Sequence, residues 1–374
     1  MILYINLLNF TSEKIGGVGF FTKRIFERLS KRTDRIDMFE KIVILSSINI
    51  DPISVFSIPN SSKIKIVKVP LIERNVILRV LYEQMILPFK IKGTNCVFFS
   101  PSPIAPILLK IFKSKIPIIV TIHDLIPFKI KGKYSRLRSS YIKILTILSA
   151  KVASHIVTVS QNTKRDIIEI LSIPPSKITV VFNFLNQDFR LVRYNLNNTI
   201  VSLSTIEPGK NYVNMIRGFL FFLEQFPEYN DYRYIIIGKK GWNSDEVFEI
   251  VENNKNGEKV IFKDYISEEE KFTILSKAQC LLFLSRYEGF GIPILEALYC
   301  NTPAIVLNNS SLPEVLGDSG IILDDDDPLS ISNAVKEVIE RRDFYCSFIP
   351  NDIVKFDPNI QLTRLFDVFL KFKL

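Results

Sequence analysis

The stretch RYEGFGIPILEALYC, residues 286–300, sets Glu288 and Glu296 eight positions apart across a Gly-Phe-Gly turn. It follows the apolar run CLLFLS at 280–285, which reads as a buried strand. The turn is therefore a strand end, and a helix is predicted over 292–300 with Pro293 in its first turn. A helix start offers backbone N–H groups to an anion, and Gly289 and Gly291 let the main chain approach it closely. Glu296, one turn inside the helix, is placed to accept hydrogen bonds from hydroxyls. Glu288, ahead of the turn, can meet a different part of the same ligand. The bland alternative for both carboxylates is surface charge at a helix N-terminus.

Amides for phosphates and carboxylates for hydroxyls suit a polyhydroxylated anion, and a nucleotide sugar fits that description. IEPGKN (206–211) supplies the counter-charge, with Lys210 as a diphosphate ligand where a strand gives way to a helix. GKKGW (238–242) ends the next strand; Gly238 reads as a close-approach position, with Lys239, Lys240 and Trp242 on the rim. SSLPE (310–314) reads as a turn with a capped helix start, and Ser310, Ser311 and Glu314 extend the polar strip. In the first half, EKIGGVGFFTKRI (13–25) is a glycine-rich turn feeding a helix. It is neither G-x-G-x-x-G nor a Walker loop, so Gly16, Gly17 and Gly19 are expected to provide room for substrate. His123 and Asp124 close the strand IPIIVTI. A base role for His123 is open, although no serine or cysteine nucleophile pairs with it in sequence. His155 reads as packing or surface. No His, Cys and acid cluster has metal spacing, so no metal is expected, and DDDD (324–327) reads as a solvated loop.

Those residues sit on a regular scaffold. Strands are predicted at 2–8, 41–47, 64–70, 96–100, 116–122 and 155–160, with helices at 20–29, 134–150 and 161–171. After a turn-rich patch at 173–188 the pattern restarts. Strands at 199–205, 232–238, 259–265, 280–285, 302–308 and 320–325 alternate with helices at 211–226, 244–254, 268–278, 292–300 and 328–341. Strands alternating with helices predict βαβ units and parallel sheets. Length and pattern give two domains, 1–190 and 191–356, followed by a C-terminal helix in 357–374 whose apolar face is expected to pack back on the first domain. Two sheets facing each other would leave a cleft at the carboxyl ends of their strands, where ligands bind.

The 374 residues are 47% apolar and 23% charged, a globular composition. Four scattered cysteines without a C-x-x-C pair read as buried thiols in a reduced compartment. No run of 18 apolar residues and no signal-peptide pattern is present, so a cytoplasmic location is expected. The net charge of +9 is uneven: residues 1–200 carry 30 Lys and Arg against 12 Asp and Glu, residues 201–374 carry 18 against 27. A basic first half suits an anionic membrane surface or a phosphorylated lipid. Zinc-finger spacing and aromatic RNA-binding signatures are missing, so nucleic acid is not an expected partner.

Taken together, Gly16–Gly19, His123-Asp124, TVSQNTKRDI (158–167), IEPGKN, IIIGKKGW and the Glu288–Glu296 motif through LPEV resemble the retaining glycosyltransferases of family 4, over nearly the whole chain. The resemblance implies the GT-B fold, α/β with two Rossmann-like domains whose parallel sheets face each other across a cleft. The likeness is greatest to bacterial mannosyl- and related transferases of surface polysaccharide assembly. By that likeness Glu296 would bind the ribose hydroxyls, Glu288 the donor sugar, and Lys210 the diphosphate. Phe290, Gly291 and Ile292 would give backbone groups around sugar and phosphates. Gly17 would shape the site near donor phosphate and acceptor, and His123 would lie by the transferred sugar.

The implied donor is a nucleotide diphosphate sugar, GDP-mannose first. The implied acceptor is lipid-linked or an oligosaccharide, at the inner face of the plasma membrane, with no metal and no other cofactor. Two departures stand out: relatives usually carry arginine where this chain has Gly209, and glycine where it has Asn301. An epimerase of nucleotide sugars on the same plan, or a non-catalytic module for sugar nucleotides or polyanions, are the alternative readings.

Overall fold

A computed structural model describes residues 1–10, 15–69, 76–113, 115–130, 132–133, 135–187, 196–264 and 266–373. Positions 13 and 14 of the glycine-rich turn and the expected 190/191 boundary lie outside them. The chain divides into two compact units, Met1–Asn186 with Phe356–Leu374, and Gln187–Lys355.

The first unit holds seven strands: β1 Ile2–Asn6, β2 Lys41–Ser47, β3 Ile64–Val69, β4 Cys96–Ser100, β5 Ile118–Ile122, β6 His155–Thr158 and β7 Ile178–Val180. They form one sheet in the order β3-β2-β1-β4-β5-β6-β7, and every pairing is parallel. Continuous apolar runs form the central strands because both faces are covered; all five residues of β4 and of β5 are buried. The edge strand β3 instead keeps Lys65 and Lys68 in solvent, which discourages pairing with another chain. Strand β7 lies inside 173–188, expected to be only turns. Three residues are too few for an alternation signal, and the flanking Pro174, Pro175 and Ser176 dominate the local pattern.

The second unit holds β8 Thr199–Leu203, β9 Arg233–Ile237, β10 Val260–Lys263, β11 Cys280–Phe283, β12 Ala304–Leu307 and β13 Gly320–Leu323, ordered β10-β9-β8-β11-β12-β13 and again all parallel. In each sheet the strand order reverses once, between β1 and β4 and between β8 and β11. Ligands of open α/β sheets collect beyond the carboxyl ends of the strands at such a reversal.

The terminal helix Pro358–Leu370 belongs to the first unit. Leu362, Leu365, Phe366 and Phe369 are buried on one face, and Phe39 and Phe99 meet Phe366 and Phe369 edge-on at 5.7 and 5.0 Å. Asn359 accepts from Arg28 at 2.7 Å, and Gln361 accepts the Phe182 amide at 2.9 Å.

Candidate functional site

In the second unit, the loops after β8 and β11 carry Lys210 and Glu288, so both residues follow the two strands that flank the reversal. The Lys210 ammonium donates to the Glu288 carboxylate and lies 5.9 Å from the centre of the Phe283 ring. Several bonds fix this geometry. The Gly209 carbonyl accepts from the Arg286 amide at 2.9 Å and the Ser285 hydroxyl at 3.2 Å, which ties the two loops together. On the other side, the Glu288 amide donates to Ser310 Oγ at 3.1 Å. Buried Ser311 donates to the carbonyls of Glu288 at 3.1 Å and Phe290 at 2.8 Å. The expected capped helix start at Ser311 is therefore not what its hydroxyl makes: it caps nothing and clamps the Glu288 turn instead, because the turn's carbonyls lie within its reach.

Phe290 is buried, and Gly291 turns the chain at φ +103° into the helix Ile292–Tyr299, with no side chain capping that helix. The φ favours glycine, and a Cβ at Gly291 would also press on the ends of Ile294 at 3.1 Å and Leu312 at 3.3 Å. First-turn amides of such a helix carry partial positive charge. Glu296 lies one turn along this helix and is nearly buried; its Oε1 accepts from Lys271 Nζ at 2.9 Å. Lys271 also reaches both oxygens of Glu268 at 2.9 Å. Burial alone would lower the Lys271 pKa, but the Glu296 and Glu268 carboxylates outweigh it and hold the ammonium above its ordinary value.

Gly238 directly follows β9 where the loops after β8 and β9 run side by side, bridged at Ile206 and Lys240. A Cβ there would fall 1.8 Å from the Ser204 carbonyl oxygen, so the close approach at Gly238 is made by the chain itself. Gly209 differs: the nearest atom to a Cβ is Glu207 Oε1 at 3.9 Å. The acidic run 324–327 is solvated as expected, with Asp324, Asp325 and Asp327 exposed, and is hydrogen-bonded as well. Asp326 accepts from Asn211 and Asn214 at 2.8 Å, Asp324 from Asn308, and Asp327 caps the helix Pro328–Glu340. It thereby pins Asn211, which sits at φ +64° directly after Lys210.

In the first unit, Gly16 and Gly17 open the helix Gly17–Lys31, again without a side-chain cap, and a Cβ at either would meet nothing within 4 Å. Gly19 is different, because a Cβ would strike that of Ile15 at 2.4 Å; packing, not room for substrate, demands it. Phe21, one turn beyond Gly17, packs edge-on against the His123 ring at 5.1 Å. His123 Nε2 bonds the Pro101 carbonyl at 2.9 Å, and burial pushes its pKa down to about 4. A carbonyl only accepts, so the neutral ring carries its proton on Nε2 and its lone pair on Nδ1. His155 is buried against Thr179 at 2.8 Å.

Three groups escape sequence reasoning. Lys271, in EEEKF, looks like one more charge on a solvated face. Asn6 at the end of β1 donates to buried Glu83 at 3.1 Å across 77 positions, a distance no local pattern spans. Asp326 offered one clue, Asn211 and Asn214 at helical spacing beside Lys210.

Comparison with known proteins agrees with this architecture. The family model for Glycosyltransferase Family 4 matches residues 15–189, and that for Glycosyl transferases group 1 matches residues 184–353. The chain is 29% identical over 236 residues to O-antigen chain mannosyltransferase B of Escherichia coli, covering 59% of this chain and 61% of that one. It is 27% identical over 238 residues to O-antigen chain mannosyltransferase RfbU of Salmonella typhimurium, covering 64% and 65%. These matches thus span less than two thirds of either relative. The crystal structure of a glycosyltransferase from Rickettsia africae ESF-5 superposes with a TM-score of 0.73 at 14% identity, covering 99% of this chain and 98% of that one. At that identity the likeness speaks for the fold, which is GT-B. Matched by these two models from residue 15 to residue 353, the chain belongs to the glycosyltransferases of family 4 and group 1.

Proposed function

We propose that the protein transfers a hexose, mannose first among candidates, from a nucleotide diphosphate sugar to a hydroxyl of a lipid-linked or oligosaccharide acceptor in surface polysaccharide assembly. The observation that carries this reading is the pairing of Lys210 with Glu288 at the β8/β11 reversal, beside the uncapped helix that bears Glu296. When the donor enters, its diphosphate takes the place of the Glu288 carboxylate as the partner of Lys210. Glu288 is then released towards the sugar. Lys210 and the first-turn amides at Gly291 and Ile292 meet the charge that grows on the leaving diphosphate, with no metal needed. Glu296, held by Lys271, accepts from the ribose hydroxyls. In the first unit the open helix start at Gly17 and the Nδ1 lone pair of His123 serve the acceptor and the transferred sugar. Transfer proceeds with retention of configuration.

The named relatives make GDP-mannose the donor to try first, and the basic balance of residues 1–200 favours a peripheral position on the cytoplasmic membrane face. Among the described residues no helix is long and apolar enough to cross a membrane. The test is donor turnover by Glu296→Ala, read by mass spectrometry of products from a panel of GDP-, UDP- and dTDP-sugars. Losing two hydrogen bonds to a charged acceptor, about 3 kcal/mol, lowers turnover roughly a hundredfold. Wild-type turnover by that variant would remove the reading.

A further inference from the structure

Three packed helical segments of the first unit turn large apolar side chains outward. In the run 76–90, Leu81, Met85 and Phe89 recur every four residues and are exposed, Phe89 to 62%, while the acid Glu83 faces inward and is buried. The run is tied to the next segment by Gln84, which donates to the Ala105 carbonyl at 3.0 Å and accepts the Leu108 amide at 3.3 Å. That segment, Ile107–Phe112, exposes Ile111 to 69%, and its Phe112 ring lies 5.1 Å from that of Phe89. It packs in turn on the helix Arg136–Val152, which buries Thr146, Ser149 and Ala150 and exposes Leu137, Ile144 and Leu148, Leu137 to 87%. A helix that docks on a core buries its large apolar residues. In the helix Arg136–Val152 the small and polar residues go in and Leu137, Ile144 and Leu148 come out, while Leu87 and Leu109 anchor the other two segments in the core.

The charges decide what covers this face. Residues 78–152 hold 13 Lys and Arg against Glu83 and Asp124 alone, a balance of +11 that exceeds the +9 of the whole chain. Lys90, Lys92, Lys115 and Arg136 are exposed beside the apolar positions. A polynucleotide would use the cations but not the leucines, and a second copy of this chain would set basic segments against basic segments. Apolar side chains at the depth of the acyl boundary with cations at the phosphates match the surface of an anionic bilayer.

We propose that the face formed by segments 78–90, 107–112 and 136–152 docks on anionic lipid. The proposal rests on the reading of a lipid-linked acceptor and names the surface that meets it. The experiment is co-sedimentation of the full chain with phosphatidylcholine vesicles containing about 30% phosphatidylglycerol, against phosphatidylcholine alone, without donor or acceptor. The expected result is binding at least ~10-fold stronger to the anionic vesicles, weakened by salt. Phe89→Ser with Ile111→Ser and Leu137→Ser is expected to lower it at least ~10-fold at an unchanged thermal midpoint. Leu137→Ser alone, at the most exposed position, is expected to lower it about threefold and serves if the triple variant unfolds. Equal binding to both vesicles overturns the proposal. So does undiminished binding by the variants, or a change from dimer to monomer with vesicle binding intact. Because no nucleotide is present, failure here is distinct from failure of Glu296→Ala to lower donor turnover.

Discussion

Lys210 and Glu288 hold each other across 78 positions of sequence, with side chains only 19% and 15% exposed. Two groups expected to serve one ligand are bonded to each other. The pair keeps a cation and an anion compensated in a semi-buried site, and in the proposed reading each exchanges its partner for part of the donor.

Substitutions separate the two roles. Lys210→Ala removes a charge-assisted bond to diphosphate, about 2 kcal/mol, and weakens GDP or UDP binding about 30-fold in a calorimetric titration. Glu288→Gln leaves Lys210 uncompensated, so nucleoside diphosphate binds at least as tightly while sugar transfer falls about a hundredfold. Unchanged nucleotide affinity in Lys210→Ala would show that the diphosphate goes elsewhere.

Lys271 acts through Glu296. Lys271→Met is expected to raise the donor KM about tenfold with kcat nearly unchanged, and Lys271→Arg to recover most of the loss. The Lys271 pKa is raised in the folded protein, so its contribution to stability is complete below the ordinary lysine value and disappears as pH climbs through the folded one. The gap in thermal midpoint between wild type and Lys271→Met therefore closes in strongly alkaline buffer. A gap that widens there would contradict the ion pair.

Two glycines give opposite outcomes. Gly238→Ala drives a Cβ into the Ser204 carbonyl and costs about 3 kcal/mol or more. Gly209→Arg meets open space, leaves the thermal midpoint in place and adds a phosphate donor beside Lys210, tightening nucleoside diphosphate binding by about 1 kcal/mol. Denaturation and titration of the two variants check both statements; a destabilised Gly209→Arg protein would refute the second.

Burial lowers both histidines from 6.5 to about 4. Between those values each histidine binds more protons in the unfolded chain than in the folded one, so their contribution to stability is level above pH 6.5 and falls as pH drops from 6.5 towards 4. His155→Asn, away from the candidate site, is expected to flatten that slope in thermal scans at pH 4.5, 5.5 and 7. An unchanged slope would exclude His155 as a source.

The fold was legible because parallel sheets demand continuous apolar strands: CVFFS, IIVTI, CLLF and AIVL announce themselves. The strand, turn and helix that carry Glu288, Gly291 and Glu296 were legible because they are contiguous in sequence. What could not be read were bonds between elements distant in sequence. Ser311 as a clamp, Asp326 as the anchor of Asn211, and Lys271 as the partner of Glu296 each depend on strand order, which local pattern does not encode. The short β7 and the helices 342–346 and 349–354 fall below the length at which periodicity speaks.

Because Asn359, Gln361, Phe366 and Phe369 complete the first unit, that unit waits until the whole of the second has been synthesised. The second unit, continuous in sequence, can finish earlier on the ribosome. Until then the surface that Phe39 and Phe99 present to the missing helix stays open, a hydrophobic target for chaperones on the nascent chain.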